Sequence, residues 1–115
     1  MATSPALPKT IVVGPFDYTI TVDTDAINVK QVEERSMLYG CTSRQRGEIH
    51  LHPDNSPSVM RETFLHEVLH TVTNVAGLDA ELATEDEERF VRRVSPILLD
   101  VLRRNPKAVQ YLLAP

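Results

Sequence analysis

His66, Glu67 and His70 stand in the order H-E-x-x-H within "TFLHEVLHTV". On a helix, residues i and i+4 lie one turn apart on the same face, so two imidazoles at this spacing can reach a single ion. Zinc suits such a pair, because it takes nitrogen ligands at about 2.0–2.1 Å in four-coordinate geometry. Glu67 is on the same turn as His66. It is placed to take a proton from a metal-activated water rather than to bind the metal. Chance alone would produce about 0.01 copies of this pattern in a chain of this composition. The expectation is therefore a zinc site with His66 and His70 as ligands and Glu67 as catalytic base. Without a metal, the two histidines would be surface or hydrogen-bonded core residues.

Two histidines leave a catalytic zinc site incomplete, and no histidine follows His70. The pattern HExxHxxGxxH fails, since position 73 is Thr73 and position 76 is Ala76, and no methionine follows Met60. The metzincin signature is thereby excluded. The remaining candidates are the acids Asp79, Glu81, Glu85, Asp86, Glu87 and Glu88. Glu85 has Arg89 at i+4 and Glu88 has Arg92, which reads as two solvent-exposed helix pairs. Glu87 has no cation one turn on. It lies seven residues before Val94, near the centre of an apolar stripe. A carboxylate buried there needs a partner. Two explanations stand: Glu87 is the third metal ligand, or it closes a capping box with Thr84. The ligand reading is preferred, with Glu88 as the fallback ligand and Asp79 behind it.

The elements that must position these groups follow from periodicity. Thr10–Val22 reads as a β-hairpin broken at Gly14 and Pro15, with Tyr18, Ile20 and Val22 on its apolar face. Asp23–Arg35 is ambiguous, with Thr24 or Asp25 able to cap a short helix carrying Ile27 and Val32. A short strand is expected around Met37 and Tyr39, ended by Gly40, and "CTSRQRG" reads as a loop. "GEIHLHP" alternates again, with Ile49 and Leu51 on one face and Glu48, His50 and His52 on the other. The two histidines on this strand are expected mainly to face solvent. In the functional reading, His50, His52 or Tyr39 contacts substrate or stabilises an oxyanion, with Tyr111 a further donor.

Ser56 with Pro57, or Ser58, can start a helix that runs to about residue 76 and stops at Gly77. Leu65, Val68, Leu69 and Val72 should hold that helix down. A second helix is expected from an N-cap at Thr84 to near Asn105, kinked or divided at Pro96. A short last helix carries Val109, Tyr111, Leu112 and Leu113.

The whole chain of 115 residues fits one domain, taken as residues 10–115 behind a flexible tail of residues 1–9. The net charge of −4 gives no reason to expect nucleic-acid binding, and the acids and bases around residues 79–107 match a helix dipole. Cys41 is the sole cysteine, so no intrachain disulfide forms. The N-terminus lacks a signal-peptide pattern, and no stretch has transmembrane length. The expectation is a cytoplasmic protein with no membrane partner.

Through "HEVLH" the chain resembles the zincin metallopeptidases. That resemblance implies His66 and His70 as ligands, Glu67 as base and a peptide or protein substrate. A glutamate on the downstream helix as third ligand is the gluzincin arrangement, which Glu87 would match. Gluzincins often carry an aspartate four residues later, where this chain has Val91 after Glu87 and Arg92 after Glu88. The chain is also similar to small phage- or prophage-encoded metallopeptidases over about Tyr39–Pro106, which would place it in a host cytoplasm. In these, a strand ("EIHLH") runs into "TFLHEVLH", and a Glu-rich helix ends in Asn-Pro. The resemblance implies an α+β zincin-like fold, with a short antiparallel or mixed sheet packed on the HExxH helix and a second long C-terminal helix. It also implies that Glu48–His52 borders the substrate cleft.

Two functions follow. One is a zinc-dependent hydrolase of the peptidase class. The other is a non-catalytic protein of the same fold that binds a partner and holds a structural metal or none.

Overall fold

A computed structural model describes residues 5–24, 27 and 39–115. Among the described residues, four strands precede three longer α-helices: β1 (Thr10–Val13), β2 (Phe16–Val22), β3 (Gly40–Ser43), β4 (Glu48–Leu51), α1 (Pro57–Val75), α2 (Thr84–Arg104) and α3 (Pro106–Leu113), with a single 3-10 turn at Leu78–Ala80 between α1 and α2. The class is α+β. The sheet is mixed, in the order β1-β2-β4-β3, with β2 and β4 parallel and the other two pairs antiparallel. No described helix is long and apolar enough to cross a membrane.

The hairpin forms as its alternation predicts. Ile11 faces Tyr18 across the ladder, and Gly14 turns the chain with φ 58°. Tyr18 and Ile20 are buried with Ile49 and Leu51 of β4, and Met60 and Phe64 of α1 pack on this cluster. Val22, assigned to the same face, is the last residue of the strand and is exposed. Residues expected in the tail also take part. Leu7 packs on the core, and the Lys9 carbonyl accepts a bond from the Ile20 amide at 2.8 Å.

The third strand differs from its expectation. It begins at Gly40 rather than ending there, and it comprises residues read as loop. Its polar side chains are tolerated because it lies at the sheet edge, half-buried, with Thr42 opposite Ile49 and Ser43 opposite Glu48. The turn back into β4 closes with the Gly47 amide donating to the Arg44 carbonyl at 3.2 Å. The suggested helix around Thr24–Val32 and the strand residue Met37 lie outside the described residues, apart from Thr24 and the fully buried Ile27.

Gly47 is where backbone freedom matters most. Its φ is +64°, and a Cβ there would sit 2.8 Å from the Asp17 carbonyl oxygen of β2. Its own carbonyl accepts from the Thr19 amide. Gly47→Ala therefore combines a left-handed backbone with a backbone clash, and is expected to cost about 1–3 kcal/mol. The check is a lower midpoint in urea unfolding with an unchanged slope.

Ser56 caps α1 by accepting from the Val59 amide, Pro57 occupies the first turn, and Gly77 (φ 80°) follows the end. The stop comes within a residue of the one expected. The residues that bury most deeply on α1 are polar: Thr63, Glu67, Thr71 and Thr73. Two of these satisfy themselves locally, Thr71 donating to the Val68 carbonyl at 2.6 Å and Thr73 lying 2.9 Å from the His70 carbonyl. Val72, expected to hold the helix down, is exposed.

Helix α2 starts one residue earlier than expected. Ala83 is the N-cap, Thr84 is already helical, and no side-chain cap forms. The capping box with Glu87 is therefore absent. The helix also runs undivided through Pro96, which lies on its exposed side. Its acids fall in the first turn and Arg103 and Arg104 in the last, as the dipole favours.

Candidate metal centre

Helices α1 and α2 form an antiparallel pair, and the HExxH residues face the cleft between α2 and the sheet edge. Three pairings set the alignment. Thr73 meets Glu87, His66 meets Glu88 and, farther along, Ser95 meets Glu62. The last is a bond of 2.5 Å from a fully buried hydroxyl. It fixes the register of the two helices one turn beyond His66.

At the centre, His66 Nε2 lies 3.2 Å from His70 Nε2 and 3.1 Å from Glu88 Oε1. His70 Nε2 lies 2.9 Å from Glu88 Oε2. One ligand atom from each of these residues falls within 4.8 Å of the others, a group that could hold a metal ion. Two ligands about 2.05 Å from a tetrahedral ion stand about 3.3 Å apart, so these spacings suit zinc. The chemistry of the donor set, two imidazoles and a carboxylate, suits it as well.

The carboxylate in this group is Glu88, the fallback, and not Glu87. Glu87 is buried and turned away. Its carboxylate meets the Thr73 hydroxyl, and Oε1 lies 3.6 Å from Nδ1 of His70, the nitrogen on the far side of the ring from the donor group. The physical reason is the rotation of α2. Glu87, Val91 and Ser95 are its buried line, and this sets Glu88, about 100° further round, over the two histidines. Glu88 consequently makes no pair with Arg92, and Arg89 pairs with Asp86 at 3.7 Å instead of with Glu85. Asp79, the other candidate, lies 3.7 Å from Arg44.

Glu67 is buried, 5% exposed, and accepts a hydrogen bond from the Thr42 hydroxyl of β3 at 3.1 Å. Burial raises its carboxyl above the usual range, with His70, His66 and the Thr42 bond opposing the rise. Bonds to His66 and His70 hold the Glu88 carboxyl well below that range. Burial alone would lower the His70 imidazolium. The bond to Glu88 and the charges of Glu67, Glu88 and Glu87 outweigh it and raise the group.

These groups line an open cleft of about 870 Å³, whose walls include Tyr39, Thr42, Glu62 and Arg92. Such a volume fits a small ligand or a few residues of a peptide. The cleft borders β3, not β4 as the resemblance implied, because β4 is interior to the sheet and β3 is its edge.

Among the suggested substrate-side residues, Tyr39 lines the cleft while His50 and His52 do not. His50 is not solvent-facing either. It is 8% exposed, with Nδ1 2.9 Å from Asp23 Oδ1 and Nε2 3.7 Å from Glu48, and it ties the end of β2 to β4. His52 Nδ1 accepts from the Asp54 amide at 3.1 Å in the turn that leads to α1. Tyr111 is exposed on α3 and does not line the cleft. Thr42 and the Glu62–Ser95 pair were not foreseen. Thr42 was findable, since a hairpin closed by Gly47 would have set it beside the buried Ile49.

No protein-family model, curated protein or solved structure matches the chain. The case for function therefore stands on the site itself.

Proposed function

We propose that this chain is a zinc-dependent hydrolase of the peptidase class and zincin type, with His66, His70 and Glu88 holding the ion and Glu67 acting as general base. The observation that carries the reading is the convergence of three metal-type donors beside a buried carboxylate, on the wall of an open cleft.

A zinc ion held by this group would supply Lewis acidity, acidifying water and polarising a carbonyl. The chain's own residues do the rest. The Thr42 hydroxyl occupies Glu67 Oε1 and so orients the carboxylate from the sheet edge. Burial raises the proton affinity of Glu67, which brings a carboxylate closer to the working range of a base near neutral pH. Glu67 takes the proton of the attacking water and returns it to the leaving amine. Glu87 and Thr73 back His70 from behind, and Glu62 with Ser95 keeps the two helices in register.

The test is metal content followed by cleavage. Purified protein is expected to hold one zinc per chain, His66→Ala to hold none, and the wild type to cut members of a broad peptide library. Equal zinc in both proteins would refute the site. Zinc retained by the wild type without cleavage of any peptide would favour the non-catalytic, partner-binding reading.

A further inference from the structure

Helix α2 carries a wider apolar stripe than α1 covers. Glu87, Val91 and Ser95 form the buried line. About 100° around the helix runs a second line, Phe90, Val94, Ile97 and Val101. Phe90 is 52% exposed, Ile97 65% and Val101 49%, with Val94 half-buried between them. The steps along this line are four, three and four residues, the spacing of a seam that packs against another helix.

We propose that this face pairs two copies of the chain, with the two α2 helices antiparallel about a two-fold axis. The occupant is indicated by charge. Along the outer edge of the seam stand Asp86, Arg93, Asp100 and Arg104, alternating in sign. Read in reverse, the order becomes positive, negative, positive, negative. An antiparallel copy therefore sets Phe90 opposite Val101 and Val94 opposite Ile97, while Arg93 meets Asp100 and Asp86 meets Arg104. A parallel copy would set Arg93 and Asp100 against Leu98 and Asn105 and leave both charges unmatched. Within one chain Asp86 pairs with Arg89 and Asp100 with Arg104, but both pairs are well exposed and of the kind that exchange partners at little cost.

Glu88 lies about 160° around α2 from Phe90, so the seam and the metal centre occupy opposite sides of the helix. Dimer formation leaves the cleft open, and the two proposals fail or stand separately.

Sedimentation velocity over a broad concentration range tests the pairing on the full chain. The wild type is expected to be a dimer. Ile97→Glu and, separately, Asp100→Arg are expected to weaken the dimer dissociation constant by about tenfold or more. The double variant Arg93→Asp with Asp100→Arg restores the opposite-charge match and is expected to recover the dimer. All should keep the wild-type circular dichroism spectrum. A wild type that stays monomeric throughout, or a dimer indifferent to Ile97→Glu, overturns the proposal. If Ile97→Glu fails to fold, the exposed charge variants decide: a dimer unchanged by Asp100→Arg, or one lost and not recovered in the double variant, overturns it equally.

Discussion

Glu67→Gln is expected to abolish cleavage while making the metal-free protein more stable. The amide cannot accept a proton from water, so kcat/KM should fall by about 10²–10⁴-fold, the usual worth of a positioned general base. Metal content should not change, because Glu67 is outside the donor group. The Gln carbonyl can still accept the Thr42 bond, so the fold loses no partner. The stability effect follows from burial. The folded-state pKa of Glu67 is raised above its value in the unfolded chain. Its contribution to stability is fully present below the unfolded value and is lost as pH rises through the folded one. At neutral pH the ionisable group thus favours unfolding, and Gln removes that tendency. The melting temperature of the metal-free variant should exceed that of the metal-free wild type by a few degrees near pH 7, with the gap closing as pH falls to about 4. An inactive variant with unchanged or lower stability at pH 7 would contradict the account of the buried base. A fully active one would remove Glu67 from the chemistry.

The second large effect separates Glu88 from its neighbour. Glu88→Ala removes a donor from the group with His66 and His70, and zinc affinity should drop by more than about a hundredfold, beyond what the loss of a supporting residue causes. Glu87→Ala removes only the group behind His70 and should weaken binding by about ten- to a hundredfold while one zinc per chain still binds. Competition titration with a chelator reads both. A larger loss in Glu87→Ala than in Glu88→Ala would reverse the assignment. Affinity should also fall on acidification, since a proton on His70 competes with the metal. The carboxylates around His70 raise its pKa, so this competition begins above the usual histidine range.

Local sequence carried a large part of the fold. The Ser56–Pro57 start, the Gly77 stop, the hairpin turn at Gly14 and the strand at "EIHL" follow from caps, left-handed turns and period-two alternation, which depend on neighbours in the chain. The strand at Gly40–Ser43 did not, because its polar residues become strand only by pairing with β4. His50 was misplaced for a related reason. Alternation puts it on the polar face of a half-buried strand, but Asp23 at 2.9 Å and Glu48 at 3.7 Å partner its ring there and make its burial tolerable.

Within the site, the sequence by itself determined His66, Glu67 and His70, because i and i+4 on one helix face are a matter of helical geometry alone. It also led to the expectation of a downstream acid as third donor, with Glu87 preferred over Glu88 and Asp79. Which acid was a tertiary decision. The apolar stripe of α2 centres on Val94, and a helix packed on that centre would aim Glu87 inward. Instead α1 takes one flank of the stripe, along Glu87, Val91 and Ser95, and leaves Phe90, Ile97 and Val101 uncovered. That offset of about 60° brings Glu88 to the histidines and puts Glu87 behind them. A stripe wider than its partner specifies orientation only to within its own width. The remaining angle is settled by contacts between helices, here Thr73 with Glu87 and Glu62 with Ser95, which no local pattern records.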